Sequence, residues 1–380
     1  MSVEQPISVE QQTSVAVAAG TLLSVENLSV EFPTPDGVVH AVDGISYSLE
    51  KAGSIGIVGE SGSGKTVAAL TLIGLTQTQG ADVSGRIMFD GRDLLTVSKD
   101  ELRHIRGNEI AMIFQDPLSS MHPQFRVGAQ LVEAMRIHRS IKRSAAHARA
   151  TELLELVGIP DPRRRVDQYP HEFSGGMRQR TMIAMALVNN PKLLIADEPT
   201  TALDVTVQAQ ILALLERLRR ELGMATIMIT HDLGVVAQIA DKIAVMYAGR
   251  IVETADARPL FRAPQHPYTW GLLRSIPSLD GPRGVELVPI PGRPPSLIHR
   301  PSGCHFHPRC AYALPSHSTI DPRLTDVGAD PGHRAACLLD AAQREAAWAQ
   351  LRAGGTPEQA RAAAGIAEIA VPVAASEVVG

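Results

Sequence analysis

The chain has 380 residues, 44% of them hydrophobic, which is enough apolar material for one large domain or two ordinary ones around a buried core. Its 36 Lys and Arg against 40 Asp and Glu leave a formal net charge of −4. That balance provides no basic field to draw the chain onto nucleic acid or anionic lipid, so a dedicated nucleic-acid binder is disfavoured. No apolar run approaches the roughly 20 residues needed to cross a bilayer, and the N-terminus has neither the cationic start nor the apolar core of a signal peptide, so a cytoplasmic protein is expected.

Residues 1–20 are small and polar without a period and read as a disordered leader. From Leu22 onward, short β-branched runs (54–59, 110–114, 193–197 and 226–230) alternate with helical patterns, which predicts an α/β fold with a largely parallel sheet over residues 21–263. The run SIGIV leads into Gly59-Glu-Ser61-Gly62-Ser63-Gly64-Lys65-Thr66 and then an apolar helix. This is the context of a phosphate-binding loop: backbone amides cradle phosphate, Lys65 reaches the β and γ oxygens, and the Thr66 hydroxyl ligates Mg²⁺ at the positive end of the helix. The alternative is a glycine turn before a helix, which this strand-loop-helix context disfavours.

Leu153, Leu154 and Val157 before Gly158 mark a helix in an inserted helical region. Farther on, LLIADEP ends a buried strand on two carboxylates. Asp197 is assigned to Mg²⁺ through its water shell and Glu198 to polarising the attacking water as general base. A helix follows, with Val207, Ile211, Leu214, Leu215, Leu218 and Leu222 on one face and Gly223 as its stop.

Phe173-Ser174-Gly175-Gly176-Met177-Arg-Gln-Arg180 then resembles the signature of the ABC ATPases. With it come, in order, Gln115 of IFQDP, similar to the family's Q-loop; Ala202-Leu203-Asp204, similar to its D-loop; and His231 of ITHD, similar to its switch histidine. The resemblance implies that Ser174, Gly175 and Gly176 bind the γ-phosphate of an ATP held by the opposite subunit, sound anion chemistry for a helix start. It also implies that Gln115 helps to hold Mg²⁺, that Asp204 lies at the nucleotide and that His231 keeps Glu198 and the water in line. Phe32 is a candidate for stacking on adenine, with core packing as its other reading.

Within that family, Met177 after the signature glycines, IFQDPLSSMHPQF, HPYTW and IPGRPPSL followed by CHFHPRC resemble the oligopeptide, dipeptide and nickel importer subgroup over about residues 22–340. This implies an ATP-hydrolysing subunit that uses ATP and Mg²⁺, pairs with a second ABC ATPase and drives two membrane permeases served by an extracytoplasmic solute-binding protein. Its helical subdomain, about 117–170, receives a short permease helix at the cytoplasmic face of the membrane. The competing readings are a soluble ABC ATPase not coupled to transport and the same machine importing nickel or another small solute.

At Ala263 the composition turns to Pro, Gly, Arg and His, which predicts a domain boundary and a small irregular extension over 264–340. The subgroup's extension often carries four cysteines of an iron–sulfur type site. Here Cys304, Cys310 and Cys337 remain, and His317 stands where the other is expected. A Cys₃His set suits iron or zinc, and the same residues read equally as buried thiols that pack. Residues 341–380 read as one Ala-rich helix around Trp348 followed by a frayed tail.

Overall fold

The computed structural model describes residues 20–116, 121–201, 203–275, 289–328 and 330–366. The expected leader up to residue 19 and the tail beyond residue 366 lie outside them. The described strands run β1 (Thr21–Thr34), β2 (Gly37–Glu50), β3 (Ser54–Val58), β4 (Asp82–Phe89), β5 (Arg92–Asp93), β6 (Ile110–Ile113), β7 (Leu193–Asp197), β8 (Ala225–Thr230), β9 (Lys242–Tyr247), β10 (Arg250–Asp256), β11 (Thr325–Asp326) and β12 (Arg334–Ala335).

They form two sheets. The first is antiparallel, in the order β2-β1-β4-β5. The second has the order β11-β12-β10-β9-β3-β8-β7-β6, in which β9, β3, β8, β7 and β6 run parallel as expected for strands covered on both faces. Every residue of β3, β7 and β8 is buried. Alternation sorts their side chains: Ile55, Ile57, Ile195 and Ile227 join the core shared with the antiparallel sheet, while Val58, Leu194 and Met228 face the helical side.

At the edge between the two sheets Arg92 grips Glu109 with both Nη atoms, at 3.0 and 2.7 Å, and Lys192 Nζ bridges Glu109 (2.8 Å) and Asp90 (2.6 Å). Two cations thereby tie β5, β6 and β7 at their starts. Such a network is stronger than a lone surface pair because each charge is held by more than one partner.

The helices follow from local signals. α1 (Lys65–Leu72) starts at the glycine loop, and α2 (Val127–His138) and α3 (Arg143–Leu156) make up most of the inserted helical region, where buried Leu131, Met135, Leu153 and Leu154 join the core on the helical side of the parallel sheet. Ser174 caps α4 (Gly175–Leu187), its hydroxyl accepting from Met177 N–H at 3.3 Å. Asp204 caps α5 (Val205–Leu222) in the same way, accepting from Val207 N–H at 2.9 Å.

Ile211, Leu214, Leu215 and Leu218 of α5 are buried, each worth roughly 1.5–3 kcal/mol by removal from water. Leu222, expected on that face, is 40% exposed at the helix end, and Leu212 is buried as well. Gly223 ends α5 with a left-handed φ of 62°, and α6 (Leu233–Ile239) follows β8.

The composition changes at Ala263, yet the parallel sheet's edge continues past it. β12 pairs with β10, Glu253 opposite Ala335. The fully buried Glu253 carboxylate accepts from the backbone N–H of Gln265 (2.6 Å) and His266 (3.0 Å) and meets His333 Nε2 at 2.8 Å. His266 in turn caps α7 (Pro267–Arg274). The extension thus packs on the cassette as well as on itself.

The expected single Ala-rich helix is two: α8 (Ala341–Arg352) and α9 (Pro357–Ala363). Gly354, at φ 88°, and a capping box between Thr356 and Gln359 with Pro357 in the first turn end one helix and start another. Both pack around Trp270, Tyr312 and Leu339.

Candidate nucleotide site

The loop between β3 and α1 is shaped by two close approaches. A Cβ on Gly59 would lie 2.1 Å from Met246 O, and one on Gly64, at φ 97°, would lie 2.1 Å from Ala41 O, so neither position accepts a side chain. Ser61 and Gly62 stand exposed at the turn and Ser63 is buried. Lys65 is 5% exposed, and its Nζ donates to the carbonyls of Gly59 (2.7 Å) and Glu60 (2.8 Å). Burial pulls its pKa down against the opposing charges of Glu198, Asp197 and Glu60.

Asp197 ends β7 at 3% exposure, and Thr66 Oγ1 donates to its Oδ1 at 3.3 Å. Burial raises the Asp197 carboxyl, the Thr66 bond and Lys65 oppose it, and the charge of Glu198 adds to it. A hydroxyl and a carboxylate oxygen this close are hard ligands of the kind that fit Mg²⁺, and a cation there would relieve the crowding of negative charge.

Glu198 leaves the strand with a φ of 46°, a strained value for a residue with a side chain, while its N–H donates to Ile229 O at 2.9 Å. The turned carboxylate is met from three sides: Gln115 Nε2 at 3.0 Å, His231 Nδ1 at 3.2 Å and Thr201 Oγ1 at 2.9 Å. Burial pushes its pKa up, but the bonds from Thr201 and His231 outweigh it and the net shift is downward. The group is therefore an ionised acceptor with two oriented oxygens. Motif reading missed Thr201; its only sequence signal is a hydroxyl three residues past Glu198.

Two expected groups lie apart from this cluster. Among the described residues Ser174 and Gly175 are exposed, with Gly175 and Gly176 facing Leu203 and Val207 on either side of the Asp204 cap. Ala202 falls outside the described residues. Phe32, half-buried, pairs across the hairpin with Val39 and packs on the core beneath the antiparallel sheet, two residues along β2 from the Ala41 carbonyl that abuts Gly64.

Residues 42–201 match the family model of the ABC transporter, and residues 252–316 match that of the oligopeptide/dipeptide transporter C-terminal region. The oligopeptide transport ATP-binding protein OppD of Haemophilus influenzae is 52% identical over 304 residues, covering 80% of this chain and 93% of that protein. The chain belongs to the ABC transporter ATP-binding subunits. The dipeptide transport ATP-binding protein DppD of Bacillus subtilis is 53% identical, over 76% of this chain and 86% of its own. Among solved structures, the dimeric structure of MJ0796, a bacterial ABC transporter cassette, matches with a TM-score of 0.55 at 25% identity, over 62% of this chain and 99% of the cassette.

As an ABC ATPase of α/β fold, the subunit binds ATP with Mg²⁺ and hydrolyses it. No helix among the described residues is long and apolar enough to cross a membrane.

The cysteine set of this ABC subunit does not fit the metal site its extension implies. Among the described residues no three His, Cys, Asp or Glu side chains converge to hold a metal ion. Burial raises the Cys304 thiol, pushes Cys310 far up and holds Cys337 up at about 12, and a charge on one raises its neighbours, so all three are neutral thiols that pack. The His317 ring is buried and lowered by burial and by His307, and it is the His317 carbonyl that accepts from Cys304 N–H, at 2.9 Å. Seven residues past Cys310, His317 thus meets Cys304 through its backbone.

Proposed function

We propose that this ABC ATPase powers import of peptides across the cytoplasmic membrane, working from its inner face. The cargo class comes from the names of its oligopeptide and dipeptide relatives; cargo selection belongs to the membrane and solute-binding subunits. Its partners are a second ABC ATPase subunit, two permeases and an extracytoplasmic solute-binding protein.

In this reading the loop from Gly59 to Gly64 and Lys65 bind the phosphates, and Thr66, Asp197 and Gln115 hold Mg²⁺, which neutralises phosphate charge. Glu198 accepts a proton from the attacking water, and His231 keeps that carboxylate aimed. Ser174 and Gly175, both exposed, and the half-buried Gly176 supply the other half of a site on a neighbouring subunit. The observation that carries the proposal is the Glu198 carboxylate held at once by Gln115 and His231 at the end of β7.

An apolar cleft of about 270 Å³ between β6, α2 and α4 supports permease docking. Its walls include Ile113, Phe114, Ile137 and Met182, and Phe114 and Ile137 are 41% and 69% exposed. A short amphipathic helix suits such a groove, and Phe114 adjoins Gln115, so a push on the cleft reaches the Glu198 carboxylate.

The test is reconstitution in proteoliposomes with a second ABC ATPase and two permeases of the oligopeptide-importer type. ATP-dependent peptide uptake is expected. Hydrolysis by the assembled complex without uptake of any di- or oligopeptide would overturn the assignment of cargo.

A further inference from the structure

Glu60, the second residue of the phosphate loop, is gripped by residues more than 200 positions away in the chain. Its backbone N–H donates to Tyr268 Oη at 2.8 Å. Its carboxylate receives both Nη atoms of Arg309, at 2.6 and 2.9 Å. Arg309 is 8% exposed; its Nε donates to Pro291 O at 2.8 Å and its guanidinium lies 5.7 Å from the centre of the Tyr247 ring. Tyr268 is fully buried against Tyr247 and Phe306.

The extension beyond Ala263 therefore holds Glu60 by its backbone and its side chain at once. A planar guanidinium fixed at three nitrogens and stacked on a ring leaves its partner little freedom. The Glu60 carbonyl, on the peptide that follows, is one of the two that accept from Lys65 Nζ.

We propose that Arg309 and Tyr268 are positioning residues for ATP binding: through Glu60, the extension pre-sets the phosphate loop so that its amides and Lys65 converge on the phosphates. The inference rests on the reading of this loop as the phosphate site. A run of Gly and Ser is intrinsically loose, and whatever order the protein imposes beforehand need not be supplied by the nucleotide. The clasp lies on the loop's first half, away from the Glu198 carboxylate, so it governs affinity more than the chemical step.

The experiment measures binding of methylanthraniloyl-ATP to the full chain, with thermal melts without nucleotide, for wild type, Arg309→Gln, Glu60→Gln and the double variant, with Lys65→Ala as the control. Each single variant is expected to bind about tenfold more weakly, and the double no more weakly than either, because both remove one interaction. On the assembled transporter the KM for ATP rises in proportion while kcat stays near wild type, a split that general loosening of the fold would not produce. Wild-type affinity in Glu60→Gln overturns the proposal, as does strict additivity in the double variant. Should Arg309→Gln fail to fold, Glu60→Gln decides alone, since it leaves the Arg309 bond to Pro291 and its ring contact in place. Binding that survives Lys65→Ala unchanged would overturn the phosphate-site reading itself.

Discussion

Gln115 donates to the Glu198 carboxylate at 3.0 Å, joining the chain just past β6 to the end of the neighbouring strand β7. The residue beside the apolar cleft and the proposed base for hydrolysis are thus one bond apart. A shift of the loop after β6 must either carry Glu198 along or break that bond, which would link the proposed docking cleft directly to the proposed base.

Replacing Glu198 with Gln keeps the size and most hydrogen bonds of the side chain and removes its basicity. ATP hydrolysis by the assembled transporter should fall about 10²–10⁴-fold with nucleotide affinity retained, and ATP-bound dimers should accumulate. Wild-type turnover would show that another group takes the proton.

Lys65 and Ser174 act on the same γ-phosphate from different subunits if the site is shared. Dimers of Lys65→Ala with Ser174→Arg chains then contain one intact composite site, and about half of wild-type activity should return relative to either variant alone. Mixed dimers verified by differential tags yet inactive would argue for a site complete within one chain.

Glu109 gives a pH signature in stability. Arg92, against the effect of burial and with help from Lys192, lowers its pKa from 4.5 to about 2. Because the folded-state value is the lower one, the stabilisation is present above the ordinary carboxylate value of 4.5 and fades as pH falls towards about 2. After allowance for solvent screening of a partly exposed pair, Glu109→Gln should lose about 1–2 kcal/mol at pH 7. Urea unfolding should show that deficit narrowing below pH 4.5; a constant deficit would mean that the carboxylate's charge is not what the site uses.

Gly64→Ala combines a strained φ of 97° with a methyl 2.1 Å from the Ala41 carbonyl. Stability should drop by about 2–4 kcal/mol and nucleotide binding should be lost, because the loop can relieve the clash only by moving off β2. Calorimetry and a nucleotide titration on the same sample would check both, and a variant with wild-type melting and affinity would refute the close approach.

Much of the fold was legible because its signals are local. Strand runs read at 54–59, 110–114 and 193–197 match β3, β6 and β7 to within a residue, and Asp204 and Gly223 bracket α5 as a cap and a stop do in any helix. The split between α8 and α9 was also local, in Gly354, Thr356 and Pro357, and alanine's helix propensity masked it.

By itself the sequence determined the phosphate loop, the paired carboxylates and the α/β alternation, since spacing, period and capping act over a few residues. Only the tertiary structure decided which side chains meet. Gln115 and His231 converge on Glu198 because β6, β7 and β8 lie side by side, β12 adds to the edge at β10, and Arg309 reaches Glu60 across 249 positions. Contacts of that range depend on how sheets and loops pack as a whole, and no window of the chain contains both partners.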